Sequence, residues 1–150
     1  MLSQSLKTFI QKQKEEEKMA TRILQIILGI VGLGALALGL LIWTMGLNLY
    51  AIHMLFGLLV TLTLLVSGIL AVTTRELRIW GIVGIVYAPI VPIFGLTQFN
   101  ILPGNLHWLI QTAHMLVGLG AIALAGNLGT RALARKRAAS GTAVESQIAR

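Results

Sequence analysis

Residues 50–72 read YAIHMLFGLLVTLTLLVSGILAV, 23 residues without a charge and with one histidine near the start. At ~1.5 Å per residue, a helix of that length crosses the ~30 Å hydrocarbon core of a bilayer. Three more stretches share the pattern, Ile23–Met45, Ile79–Phe99 and His107–Gly129. Their apolar runs are continuous and do not alternate, which points to helices and not to a barrel. Across all 150 residues 56% are hydrophobic and 11% charged, a balance that excludes a water-soluble domain. The expected fold class is therefore all-α, an integral membrane four-helix bundle.

The chain divides into residues 1–22, a polar segment, residues 23–137, which hold the bundle, and residues 138–150, small and polar and expected to be a disordered tail. In the first segment Leu2, Leu6, Phe9 and Ile10 form one apolar stripe if the segment is helical, as in a helix lying on the membrane surface. The run Lys12–Lys18 fits a solvated extension equally well. Because twenty-two largely polar residues precede the first apolar stretch, and no small-residue cleavage site follows a short core, that stretch is expected to be retained and not removed as a signal. Cysteine is absent, so no thiolate ligand and no disulfide is available.

Charge placement predicts orientation. Lys7, Lys12, Lys14, Lys18 and Arg22 precede the first stretch, Arg75 and Arg78 separate the second and third, and Arg131, Arg135, Lys136 and Arg137 follow the fourth. The two other connections, residues 46–49 and 100–106, carry no charge. The positive-inside rule then places both termini in the cytoplasm and the uncharged connections outside. The net charge of +7 is a topology signal with a secondary attraction to anionic lipid, and no nucleic-acid partner is expected. Trp43, Tyr50 and Trp108 at the outer boundary and Trp80 at the inner one agree with aromatic anchoring.

Residues 53–58, HMLFGL, recur as residues 114–119, HMLVGL. The same offset of 61 also pairs Ala71 with Ala132 and Arg75 with Lys136. Since both copies run from the uncharged end to the basic end, the simplest architecture is a duplicated helical hairpin with a pseudo-two-fold axis along the membrane normal. Both histidines then lie at one depth, each 22 residues before a basic residue and so near the outer face. Small residues Gly32, Ala35, Gly39 and Gly46 on the first helix, and Gly81, Gly84, Ala88 and Gly95 on the third, are expected to let backbones approach. Pro89 and Pro92 read as a tolerated kink, and Thr61, Thr63, Ser67 and Tyr87 as groups satisfied within the bundle.

Neutral imidazole is a common metal ligand, but two histidines without a third carboxylate or thiolate make a poor zinc or non-heme iron site. A porphyrin brings four nitrogens of its own, so His53 and His114 would complete an iron coordination sphere from opposite walls. Gly57 and Gly118 follow each histidine by one turn on the same face and leave room for the edge of a flat macrocycle. Tyr50 and Gln111 lie three residues before their histidines and are candidates for hydrogen bonds to a ligand or a propionate, with an aromatic-belt role and a helix-to-helix bond as the plainer alternatives. His107, two turns before His114 and matched by Gly46 in the repeat, is a candidate propionate contact or substitute ligand, or an interfacial polar residue.

This arrangement resembles the four-helix half of the heme A synthase family, and more generally the small membrane b-type cytochromes. The resemblance covers the four apolar stretches and rests on the two histidines and the glycine-containing runs after them. It implies axial ligands on the second and fourth helices, at His53 and His114, and noncovalent heme b. Tyr50 stands where that family has an acid and Met54 where it has arginine, so the resemblance carries the site and not the oxidation chemistry. Three functions follow as expectations: a bis-histidine heme b protein for electron transfer or heme handling, with a quinone or redox-protein partner beside the lipid bilayer; a chlorophyll-type pigment protein; or a cofactor-free accessory subunit.

The orientation is testable because the chain has no native cysteine. A membrane-impermeant thiol reagent applied to intact cells should modify Asn105→Cys and spare Ala139→Cys; the reverse pattern would contradict the topology.

Overall fold

The computed structural model describes the backbone of residues 2–148 as four α-helices, α1 (Leu2–Met45), α2 (Tyr50–Val72), α3 (Arg78–Thr97) and α4 (His107–Ile148), with a single 3-10 turn at Gln98–Asn100. Four segments are long and apolar enough to cross a membrane, Arg22–Met45, Tyr50–Val72, Arg78–Asn100 and His107–Ala132. The protein is an integral, multi-pass, all-α membrane protein. In lipid each helix satisfies its own backbone, and long apolar side chains such as Ile30, Leu33, Ile79 and Leu116 stand exposed toward the hydrocarbon.

Both terminal segments depart from the expectations for them. Residues 2–21 are neither a separate surface helix nor an irregular extension but the first turns of α1 itself. No proline or glycine interrupts the chain before Gly29, and opposite charges three or four apart, Lys12 with Glu16 and Glu15 with Lys18, favour helix. The tail expected to be disordered over residues 138–150 is helical through Ile148. Its alanines, with Glu145 and Gln147, are strong helix formers and no proline stops them. Met1, Ala149 and Arg150 lie outside the described residues.

The turns have local causes. Gly46 ends α1 with a φ of +65°, a left-handed conformation that glycine adopts without a Cβ penalty. Between α2 and α3 the amide of Thr74 donates to Ala71 and that of Leu77 to Thr74, and Leu77 is buried. Arg135 on α4 forms an ion pair with Glu76, tying this turn to the last helix. Helix α3 runs unbroken through Pro89 and Pro92.

In the bundle, α1 and α3 each pack on both α2 and α4, and α2 meets α4 across the centre. The closest approach is between α2 and α3. A Cβ on Gly81 would lie 2.7 Å from the Gly68 carbonyl oxygen and 2.7 Å from the Val72 nitrogen, both backbone atoms that cannot turn aside. On the opposite side of the bundle Gln25 of α1 presses on Gly129 of α4. Gly129 is the repeat partner of Gly68 by the offset of 61. The duplication therefore extends from sequence to helix packing.

The core gathers at the basic half around Leu28, Val60, Leu64, Ala71, Ala121, Ala125 and Leu128. Tyr87 donates to the Val117 carbonyl and Thr63 to Leu59, as expected of buried hydroxyls. Thr61 and Ser67 depart from that expectation, since neither hydroxyl has a partner. Besides Thr63, the buried residues around them on α2 are Val60, Leu64, Gly68 and Ala71, whose side chains offer no acceptor.

Replacing Gly81 by alanine should force α2 and α3 apart and lower stability by roughly 1–3 kcal/mol. Gly126→Ala, where a Cβ meets nothing within 4 Å, should be neutral or mildly stabilising. Thermal unfolding in detergent micelles, followed by far-UV circular dichroism, separates the two; equal Tm values would contradict the close contact.

Candidate functional site

Where the basic half is packed, the uncharged half is hollow. A cavity of about 930 Å³ lies among all four helices, within the size range of small-molecule and cofactor sites. Val60, Val91 and Ile122 belong to its wall toward the core, and Trp43, Gln98 and Phe99 to its wall near the uncharged end. All seven residues singled out from the sequence line it: His53, His114, Gly57, Gly118, Tyr50, Gln111 and His107.

His53 of α2 and His114 of α4 face one another with ring centroids 6.1 Å apart and planes inclined by 67°. Each ring is seated on a glycine of the preceding helix. A Cβ on Gly39 would lie 3.1 Å from Cε1 of His53, and a Cβ on Gly95 would lie 3.0 Å from Cε1 of His114. These glycines do more than let backbones approach: each leaves the space an imidazole occupies. Their offset is 56 rather than 61, because the connection between α3 and α4 is five residues longer than that between α1 and α2. Allowing for that longer connection would have matched Gly39 to Gly95 from sequence.

The two rings are anchored differently. Nδ1 of His53 is 3.0 Å from the Ala35 carbonyl oxygen. A carbonyl only accepts, so Nδ1 carries the proton and the neutral ring keeps its lone pair on Nε2. Nδ1 of His114 is buried and has no hydrogen-bond partner, and Phe94 packs against this ring at 5.9 Å between centroids. Ala35 stood out in the sequence only as a small packing residue and not as an acceptor, since a backbone carbonyl can come from any residue, and Phe94 carried no signal.

Gly57 and Gly118 border open space, with nothing within 4 Å of an added Cβ. Tyr50 packs edge-on against Phe99, and Phe99 stacks on His107. Nδ1 of His107 donates to the Ile101 carbonyl at 3.3 Å, so this histidine is engaged by the loop before α4. Gln111 lines the cavity one turn before His114. Among the described residues no cluster of three or more histidine, cysteine, aspartate or glutamate side chains is placed to hold a metal ion.

The fold and this cavity define the class of the protein, a multi-pass helical membrane bundle with a histidine pair in its hollow half. Neither a protein-family model, nor a curated protein, nor a solved structure matches the chain.

In ¹⁵N-labelled protein, the neutral His53 ring should give the spectrum of the Nδ1–H tautomer, with a slowly exchanging proton. The Nε2–H tautomer at His53 would contradict the bond to Ala35.

Proposed function

We propose that the chain is a membrane-embedded heme b-binding protein with His53 and His114 as axial ligands, serving electron transfer or heme handling. The observation that carries this reading is the 6.1 Å between ring centroids. Two imidazoles sharing one metal have metal–nitrogen bonds of about 2 Å each, and each nitrogen lies about 1.1 Å from its ring centre, which sums to a centroid separation of about 6 Å. An inclination of 67° is compatible with that geometry, because two ligating rings would be free to rotate about the line joining their nitrogens.

The donor set agrees. With no third protein ligand grouped with them among the described residues, a bare metal ion would be poorly held, whereas a porphyrin would supply the remaining four nitrogens. The Ala35 carbonyl fixes His53 in the tautomer a ligating imidazole needs. Tyr50 and Gln111, at the uncharged end of the cavity, would offer donors to a carboxylate edge. When bound, such a group supplies a one-electron iron couple whose potential depends on its axial ligands and surroundings. With the basic end in the cytoplasm, the site would lie toward the outer face, within reach of a quinone or an external redox protein.

A cofactor-free accessory subunit accounts less well for two imidazoles facing each other in an apolar cavity, since polar groups at that depth are costly and tend to be functional. A chlorophyll-type pigment protein has no observation that favours it over heme.

His53→Ala and His114→Ala should each abolish the low-spin six-coordinate spectrum of the hemin-reconstituted protein, while His107→Ala should change it little. Gly57→Leu and Gly118→Leu, which meet open space and so should fold, should reduce heme per purified protein several-fold although both histidines remain. Parent-like spectra and occupancy in all the histidine and leucine variants would refute the reading.

A further inference from the structure

The duplicated site is not symmetric. By the offset of 56 that matches Gly39 to Gly95, the counterpart of Ala35 on α3 is Val91. Nδ1 of His53 bonds the Ala35 carbonyl, but Nδ1 of His114 is buried and takes no partner. The histidine on α4 instead packs against Phe94, whose counterpart on α1 is Leu38.

A hydrogen bond from the far ring nitrogen orients a ligating histidine and raises its basicity, and losing such a partner typically lowers metal affinity about 10–100-fold. The same cavity is partly open, and Met54, Leu55, Leu58 and Met115 in its lining are exposed apolar side chains within the membrane-spanning segments of α2 and α4. Its approach is therefore from hydrocarbon, which admits small neutral molecules and disfavours ions.

Building on the heme reading, we infer that the two ligands are unequal, with His53 the fixed axial ligand and His114 the exchangeable one, so that the site accepts a small neutral diatomic ligand of the carbon monoxide, nitric oxide and dioxygen class on the His114 side. In such an exchange the incoming molecule would replace His114 Nε2 as an electron-pair donor, with no net transfer of an electron or proton. The released imidazole would move off its seat on Gly95 to make room and return to it when the small molecule leaves.

The test uses full-length protein reconstituted with hemin in detergent, reduced with dithionite and exposed to carbon monoxide. The parent should bind carbon monoxide with a shifted Soret band. His114→Ala should keep most of its heme in a five-coordinate form that binds carbon monoxide more tightly than the parent, because no imidazole competes for that side. His53→Ala, matched for helicity by circular dichroism, should keep less than about a tenth of its heme, as expected for loss of the anchored ligand. A parent with heme that ignores carbon monoxide, equal heme loss in the two variants, or the opposite order would overturn the asymmetry and leave the heme reading standing. A parent that takes up no heme would overturn both.

Discussion

Gly68 and Gly81 let α2 and α3 touch backbone to backbone, and much of the architecture follows from that contact. Water does not drive helices together inside a bilayer, so association depends on close packing, and small residues permit it. The same position in the second hairpin is Gly129, against which Gln25 of α1 presses. These two crossings draw the basic half of the bundle into a dense core. Toward the uncharged end the helices line a partly open cavity of about 930 Å³.

That division places the imidazoles. His53 and His114 lie one to two turns beyond the last core residues of their helices, in the open half, with Gly39 and Gly95 cut away to receive their rings. A side chain at either glycine would move a ring. The distance between the rings thus depends on four positions spread over four helices, an arrangement in which a bound group and the bundle stabilise one another, as ligand binding stabilises the state that binds it. In the proposed function the packed half serves as a rigid base and the hollow half as the site.

Much of this was legible in the chain. The apolar stretch Tyr50–Val72 coincides with α2, and the others fall within a few residues of the observed spans, because hydrocarbon thickness sets their length. The repeated histidine–glycine motif marked the residues that line one cavity, since its copies run in the same direction through the membrane. What escaped depended on partners distant in sequence. The seats at Gly39 and Gly95 were masked by the longer second connection, and the Ala35 acceptor has no side-chain signature. His107 turned out to be held by the Ile101 carbonyl and Phe99, contacts that only the folded loop creates. Helix propensity in residues 138–148 was outweighed by their small, polar character in the sequence reading, although alanine and glutamate favour helix there.

The most direct measurement of the central claim is the visible absorption spectrum of the parent protein, purified from membranes of heme-replete cells, before and after dithionite. The account predicts a sharp Soret band that moves to the red on reduction, resolved α and β bands, and heme bound in a fixed ratio to protein. A colourless protein that also fails to take up added hemin would contradict it.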